Sequence, residues 1–231
     1  MGGTPVQNVG AYGQEVASVI DRVRAFDAQT REFVEFTNAE CGFAYRRSRF
    51  NTTDRGRYIV ARVDYRLKPG GAPTLRYAEL KRAFAASREA GIEPDLAQAA
   101  TMVRRIRRSK GMLRVVGDAD ARSAGSFFKN PVIGKELFEK IAARAKNTPP
   151  GFAVGKGADG EVCVKIYAAW LIEQTGFVKG YTMGAAGIST KHTLALVNLG
   201  SAKATEILAL AEKISADVEE RFGVRLEMEP E

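Results

Sequence analysis

Gly125-Ser-Phe-Phe-Lys-Asn-Pro131 combines a glycine, a hydroxyl, two aromatic rings, a cation, an amide and a rigid turn residue. Gly125 permits close approach of the backbone to a ligand, and Ser126 carries a hydroxyl that both donates and accepts hydrogen bonds. Pro131 ends the structure to which Asn130 belongs. Composition alone predicts a strand that ends in a turn.

Composition and charge limit the class of protein. The chain has 231 residues, of which 45% are hydrophobic, enough for one large domain or two smaller ones with real cores. No apolar stretch approaches the length of a membrane span, and the start of the chain lacks the basic residues and apolar run of a secretory signal. We therefore expect a cytoplasmic protein without a membrane partner. The net charge of +8 suits either a nucleic acid or a phosphorylated small ligand.

The cysteine and histidine content argues against metal chemistry. Cys41 and Cys163 have no metal-ligand spacing, so we expect reduced, buried thiols. His192 is the single histidine, which excludes most histidine-based metal sites and catalysis by several histidines. The sequence therefore predicts no metal centre.

The first half of the chain predicts a glycine-rich loop followed by antiparallel strands. Residues 2–13 show neither helical nor strand periodicity, and we expect loop backbone whose N–H groups can approach a phosphate. Residues 19–26 and 32–36 predict a hairpin, and residues 57–67 predict a further strand. The face of that strand expected to be buried comprises Ile59, Ala61, Val63, Tyr65 and Leu67.

The second half of the chain predicts mainly helices. Apolar residues recur with helical spacing over residues 94–110, 134–146, 164–176 and 201–222, while residues 224–229 alternate like a strand. The apolar stripe of the last helix comprises Ile207, Ala211, Ile214, Val218 and Phe222.

Arg104–Lys110 is a dense cluster of positive charge, and two interpretations of it stay open. Cations near the C-terminus of a helix are favourable in themselves, so the cluster is consistent with a plain surface. It is also consistent with a non-enzymatic module that binds nucleic acid, although no aromatic residues interleave with the basic ones.

A series of motifs resembles, in the same order, those of the UDP-N-acetylenolpyruvoylglucosamine reductases, the MurB family of cell-wall synthesis. The segments that carry the resemblance are Gly2–Gly13, Tyr45–Phe50, Leu75–Leu80, Gly125–Pro131, Lys165–Gln174, Ile188–Asn198 and Leu226–Glu229. The chain departs from the family after Lys110, where Gly111-Met-Leu stands in place of the usual Leu-Pro-Asp.

The resemblance implies an α+β fold in two parts. Residues 1–111 resemble the C-terminal part of an FAD-binding domain of the MurB/PCMH type, built from antiparallel strands. Residues 112–231 resemble the MurB C-terminal substrate-binding domain. Family members have further flavin-binding residues before the segment that Gly2–Gly13 resembles. We therefore expect this chain to lack part of the flavin-binding region and to bind FAD weakly by itself.

The resemblance also implies an activity, that of the oxidoreductase UDP-N-acetylmuramate dehydrogenase. In the family, NADPH reduces FAD, and the reduced flavin passes hydride to UDP-N-acetylglucosamine enolpyruvate, giving UDP-N-acetylmuramate for peptidoglycan synthesis, cell shape and cell division. We expect a monomer without a nucleic-acid partner. A fragment that binds UDP-sugars but has no flavin activity is the alternative within the family.

The resemblance assigns roles to individual positions. Arg46 and Glu229 match catalytic residues that stabilise developing charge, with Glu231 as an alternative carboxylate, and Ser126 matches the proton donor. The positions that match substrate-binding residues are Tyr45, Tyr77, Lys110, Lys129, Asn130 and His192, although His192 is also consistent with anchoring a loop. The positions that match FAD-binding residues are Gly3, Thr4, Gln7, Asn8, Gly10, Ala11, Tyr12 and Gly13.

Overall fold

A computed structural model describes residues 2–145, 147–157 and 160–230 of the chain. The chain divides into two units, residues 1–104 and 105–231. The boundary expected from the sequence, after residue 111, stays a prediction. The mixture of helices and antiparallel sheets confirms the α+β class.

The first unit is built on a three-stranded antiparallel sheet in the order β4-β3-β5. The strands of that sheet are β3 (Ile20–Asp27), β4 (Glu32–Thr37) and β5 (Tyr58–Tyr65). Two short strands, β1 (Gly10–Ala11) and β2 (Gln14–Glu15), pair separately. Its helices are α1 (Gly3–Val6), α2 (Ala78–Ala83) and α3 (Ala85–Glu89), while α4 (Leu96–Ser109) continues into the second unit. The core residues of the sheet are Ile20, Val23, Ala25, Phe36, Cys41 and Phe50. The β3–β4 hairpin and helix α4 confirm the sequence predictions.

A β-bulge interrupts the predicted apolar face of β5, so the prediction is wrong for the residues before the bulge. Two consecutive residues of β3 pair with Val60 and Arg62, so Ala61 is an extra residue on β5. A shift of one residue moves the following side chains to the opposite face. Ile59, before the bulge, is therefore 64% exposed, whereas Val63, after it, packs on the core as predicted. Leu67 is 71% exposed and lies beyond the end of the strand. The side chains that pack on the core are Tyr58, Val60 and Val63.

The second unit contains two three-stranded antiparallel sheets, in the orders β6-β8-β7 and β11-β10-β9. The strands are β6 (Val132–Gly134), β7 (Gly151–Lys156), β8 (Val162–Ile166), β9 (Thr182–Met183), β10 (Ala186–Ile188) and β11 (Leu196–Asn198). The helices are α5 (Lys135–Arg144), α6 (Ala168–Gln174) and α7 (Ala204–Phe222). Helices α5 and α7 confirm the predictions, and Lys146 lies outside the described residues.

Two predictions for the second unit are wrong. Residues 164–166 are the end of strand β8 and not the start of a helix, because the β-branched Val164 and Ile166 are buried on one face while Lys165 lies between them on the other. Residues 224–229 form no strand: a single bridge joins Met228 to Phe128, and Met228 is 38% exposed. Val224 and Leu226 are buried as expected.

Helix α7 anchors the core of the second unit. The residues that it buries completely are Leu210, Ala211, Ile214 and Val218. Gly223 ends the helix with a φ of 65°, which only glycine adopts without strain. Within the described ranges, no helix has the length and apolar character needed to cross a membrane.

Candidate active site

The glycine-rich segment 2–13 is not wholly the loop predicted from its sequence, because it contains helix α1 and the first strand of a hairpin. Strands β1 and β2 pair across Tyr12 and Gly13, whose φ values are 54° and 81°. Two successive positive φ values are typical of the two-residue turn that matches strand twist. The Tyr12 ring meets the Tyr77 ring edge-on, with centroids 5.0 Å apart. A Cβ on Gly13 would lie 2.9 Å from Cβ of Arg76, so this position requires glycine.

The buried side chain of Asn8 holds the hairpin in place through hydrogen bonds. Its side chain is 1% exposed, and its backbone has a φ of 45°. Nδ2 donates to Oε2 of Glu15 at 2.8 Å and to the Ala44 carbonyl at 3.0 Å, while Oδ1 accepts from the Ala17 N–H at 3.1 Å. All three hydrogen bonds join the Asn8 side-chain amide to other groups of the protein. Asn8 therefore positions the segment that matches the flavin-binding motif.

Arg46 lies at the tip of a tight turn that reaches the hairpin. Ala44 and Arg47 exchange hydrogen bonds of 3.0 and 3.1 Å across the turn, and Arg46 has a φ of 54°. A left-handed backbone at a non-glycine residue costs roughly 1–2 kcal/mol. Its Nη2 donates to the Gly10 carbonyl at 3.1 Å, and its guanidinium lies 5.5 Å from the centroid of the Tyr45 ring. The predicted catalytic arginine, Tyr45 and the glycine-rich segment therefore come together in the first unit.

Ser48 and Asn51 hold the arginine turn in place. The Ser48 hydroxyl donates to the Val6 carbonyl at 2.6 Å and accepts from the Phe50 N–H at 3.2 Å. Asn51 accepts from the Ser48 N–H at 2.8 Å and donates from Nδ2 to the Arg46 carbonyl at 3.1 Å. Asn51 has no sequence pattern that would have pointed to this role.

A buried side-chain acceptor between α1 and the hairpin is consistent with the predicted binding of a flavin. Oε1 of Gln7 is buried and has no hydrogen-bond partner among the described residues. An unsatisfied buried acceptor is costly unless a ligand donates to it. FAD carries hydroxyl and ring N–H donors of this kind. All eight FAD contacts expected from the resemblance stay predictions: Gly3, Thr4, Gln7, Asn8, Gly10, Ala11, Tyr12 and Gly13.

The Ser126 segment is held in the second unit by backbone pairing with the last part of the chain. The Lys129 N–H donates to the Glu227 carbonyl at 2.9 Å, and the Glu229 N–H donates to the Phe127 carbonyl at 2.8 Å. The Phe127 N–H donates to the Leu194 carbonyl at 2.7 Å. The backbone that carries Ser126 therefore runs alongside Glu229, and Glu231 lies outside the described residues.

The four residues that follow Ser126 are two aromatic side chains in the core and two polar side chains with protein partners. Phe127 and Phe128 are 6% and 1% exposed, so their rings anchor the segment in the core. Lys129 forms an ion pair with Glu227. Oδ1 of Asn130 accepts from the Ala168 N–H at 3.0 Å, which stabilises the start of α6. Lys129 and Asn130 thus have structural partners besides their predicted role at the substrate.

His192 lies in a loop that is closed by its own backbone. Its Nδ1 accepts from the Leu194 N–H at 3.1 Å, so the ring proton of the neutral form is on Nε2.

Asp120 accepts from the N–H and the hydroxyl of Thr190 at 2.7 Å each. Burial alone would raise the pKa of Asp120, but hydrogen bonds from Thr190 and Ser189 and the charge of Lys191 lower it below its ordinary value. The sequence offered no sign of this Asp120 contact.

Cys41 and Cys163 are free thiols. Burial raises the pKa of Cys41 to about 11, which makes that thiol unreactive in the folded state. Cys163 is half-buried, so the expectation of two buried thiols is correct only for Cys41. No cluster of metal-ligating side chains is found in the part of the chain that the structure describes.

Comparison with known proteins gives consistent matches. Residues 117–231 match the family described as UDP-N-acetylenolpyruvoylglucosamine reductase, C-terminal domain. The reductase of that name from Streptomyces coelicolor is 47% identical over 99% of this chain and 60% of its own length. The reductase from Thermobifida fusca is 43% identical over 100% of this chain and 64% of its own length.

A solved structure agrees with these matches. The reductase (MurB) from Thermus caldophilus has a TM-score of 0.56 and 26% identity, covering 100% of this chain and 59% of that chain. The chain spans roughly three fifths of the length of the curated relatives that it matches. The similarity extends over both units, and residues 117–231 belong to the UDP-N-acetylenolpyruvoylglucosamine reductase (MurB) family as its C-terminal domain.

Proposed function

We propose that this chain carries the machinery for reducing UDP-N-acetylglucosamine enolpyruvate to UDP-N-acetylmuramate, with FAD and NADPH as cofactors. The observation that carries the proposal is the backbone pairing of residues 127–129 with residues 227–229, which holds Ser126 and Glu229 in adjacent segments. The names of the relatives support the same reaction. The proposal includes a cytoplasmic, monomeric protein of peptidoglycan precursor synthesis.

In this proposal the residues of the chain polarise the substrate and move one proton. Bound FAD, reduced by NADPH, supplies the hydride. The Arg46 guanidinium stabilises negative charge that develops on the enolpyruvyl carboxylate. Glu229 shares that role when it is protonated or donates through a bound water. The Ser126 hydroxyl gives a proton to the carbon next to the one that receives hydride.

Ser126 needs help to act as an acid, because a free serine hydroxyl holds its proton tightly. Lys129 is three residues further along the same segment, and its ammonium is paired with the exposed carboxylate of Glu227. A cation close to the hydroxyl stabilises the alkoxide that remains after the proton has left. We propose that Lys129 or Arg46 provides this assistance to Ser126.

The decisive test separates the two half-reactions in a flavin-loaded protein. With Ser126→Ala, reduction of the flavin by NADPH should keep its rate, whereas reoxidation by the enolpyruvyl sugar should slow by roughly 10²–10⁴-fold, the usual contribution of a positioned general acid. Stopped-flow absorbance of the flavin measures both rates. Ser123→Ala is the control, because the Ser123 hydroxyl accepts from the Gly125 N–H at 3.3 Å and so reports the effect of loosening the segment.

Two results would contradict parts of this proposal. Equal slowing of both half-reactions in Ser126→Ala would mean that the serine maintains the shape of the segment. Failure of the flavin-loaded protein to be reoxidised by the enolpyruvyl sugar at all would rule out the proposed function itself.

A further inference from the structure

The guanidinium of Arg46 lies in a closely defined place against the hairpin. Its Nη2 donates to the Gly10 carbonyl at 3.1 Å. A Cβ on Gly10 would lie 2.9 Å from Cγ of Glu15 and 3.3 Å from Nη1 of Arg46, so a side chain at this position would push against the guanidinium. The arginine therefore packs directly on backbone, and its position depends on how the turn aims it.

The backbone of Arg46 adopts a conformation that neighbouring groups must hold. Its φ of 54° is left-handed, which an arginine does not prefer by itself. A return to negative φ would rotate the Arg46 side chain relative to residues 44–45 and carry the guanidinium away from the Gly10 carbonyl. Whatever stabilises the left-handed backbone therefore also places the charge.

The Asn51 amide holds this backbone through both of its ends. Nδ2 donates to the Arg46 carbonyl at 3.1 Å, and Oδ1 accepts from the Ser48 N–H at 2.8 Å. These two bonds fix the peptide groups on either side of Arg47. Ser48 is 1% exposed, and its hydroxyl donates to the Val6 carbonyl at 2.6 Å. The amide thus ties the Arg46 backbone to a buried part of the first unit.

We propose that Asn51 is a positioning residue for Arg46 in the reduction of the enolpyruvyl sugar. The proposal rests on the proposed function, in which the Arg46 guanidinium stabilises charge on the enolpyruvyl carboxylate. Asn51 acts through the Arg46 backbone and makes no contact with substrate. Because that charge develops only when hydride reaches the substrate, Asn51 controls reoxidation of the flavin and not its reduction by NADPH.

Two substitutions of Asn51 test this role in the flavin-loaded protein. Asn51→Asp keeps the acceptor for the Ser48 N–H but cannot donate to the Arg46 carbonyl, and Asn51→Leu removes both bonds without adding a charge. Each should slow reoxidation by the enolpyruvyl sugar by roughly 10–10²-fold, the scale of a misplaced catalytic group, and leave reduction by NADPH within about twofold. Stopped-flow absorbance of the flavin measures both rates. Slowing in Asn51→Asp alone would assign the effect to the added charge and overturn the proposal.

A double-mutant cycle with Arg46→Ala tests whether Asn51 acts through Arg46. Arg46→Ala alone should slow reoxidation by roughly 10²–10³-fold, the scale of a lost charge-stabilising donor. Adding Asn51→Leu to it should change the rate by less than about twofold, because the group that Asn51 positions is already gone. Additive losses would overturn the proposal and leave the role of Arg46 intact. A normal rate in Arg46→Ala would overturn the proposal together with the role of Arg46 in the proposed function.

Asn38→Leu and Thr52→Val are the matched controls. Nδ2 of Asn38 donates to the Ala17 and Ile20 carbonyls at 2.7 and 2.9 Å, so the same change removes two amide hydrogen bonds elsewhere in the first unit. The Thr52 hydroxyl, next to Asn51, donates to the Ser48 carbonyl at 2.6 Å. Both controls should keep both half-reactions within about twofold, because neither side chain bonds to Arg46. Slowing of reoxidation in either control to the extent seen in Asn51→Leu would overturn the proposal.

Discussion

Backbone strain at single residues is concentrated where the family resemblance places ligand contacts. Among the described residues, the non-glycine positions with positive φ are Asn8, Tyr12, Arg31 and Arg46. All but Arg31 belong to the hairpin and the arginine turn of the first unit. Strained residues persist when their surroundings determine them, and here hydrogen bonds to Asn8 and from Asn51 do so.

Asp27 should make stability depend on pH in the acid range. Its side chain is almost fully buried, and hydrogen bonds from Arg57 lower its pKa from 3.8 to about 2. A carboxyl with a lowered folded-state pKa stabilises the fold above its unfolded pKa, and this contribution is lost as the pH falls. We expect Asp27→Asn to lower the urea midpoint at pH 7, and the difference from the wild type to shrink between about pH 4 and pH 2.

Asp21→Asn is the matched control for this prediction. Asp21 pairs with Arg66 at 2.7 Å, but their side chains are 43% and 80% exposed. Solvent screens such a pair, so its loss should change the midpoint little at any pH. A constant difference between Asp27→Asn and wild type down to pH 2 would be incompatible with the expected linkage.

At the level of elements, local periodicity was sufficient for some predictions and not for others. Helices α4 and α7 and the β3–β4 hairpin were predicted because each carries its own pattern and its own turn residues. The buried face of β5 was not, because the bulge at Ala61 depends on pairing with β3. Strand β8 was taken for helix because a short apolar run fits both periods.

The candidate site was predictable only where residues match a motif. Arg46, Ser126 and Glu229 follow from the family resemblance. Asn51 does not, because its role depends on hydrogen bonds to the backbone of Ser48 and Arg46 within one turn. Hydrogen bonds of this kind leave no periodic signal in the sequence.

Substitutions of Gly223, the C-terminal cap of α7, test how much the conformation of this one residue contributes to stability. Gly223 has a φ of 65°, and a Cβ there would meet nothing within 4 Å. Gly223→Ala should therefore lower the free energy of unfolding by about 1–2 kcal/mol through backbone strain alone. Gly223→Asn should lower it less, because asparagine tolerates the left-handed conformation. Urea unfolding followed by circular dichroism measures both, and equal effects would argue against a conformational cause.

At the scale of the whole chain, each unit has its own hydrophobic core, and each contains a natural probe. Cys41 is buried in the first core, and Trp170, the single tryptophan, packs beside Phe222 in the second with ring centroids 5.9 Å apart. A buried thiol reacts only when its surroundings open. Thiol labelling therefore reports the first unit, and tryptophan fluorescence reports the second.

The same substitution in each core should affect mainly its own probe. In a Cys163→Ser background, Ile20→Ala should speed labelling of Cys41 by at least about tenfold, because removing a buried isoleucine costs roughly 2–5 kcal/mol. Ile214→Ala should lower the urea midpoint of Trp170 fluorescence by a similar free energy and leave Cys41 labelling within about twofold. Equal responses of both probes to both variants would show that the cores unfold together.

The pairing of residues 127–129 with residues 227–229 also sets an order of events during synthesis. Lys129 and Glu227 are 98 residues apart in sequence, so the ribosome makes the Ser126 segment long before its partner. Until residues 227–229 have been translated, the carbonyl of Phe127 lacks its hydrogen-bond donor and the N–H of Lys129 lacks its acceptor. The segment that carries Ser126, the proposed proton donor, therefore reaches its paired structure only after most of the second core has been translated.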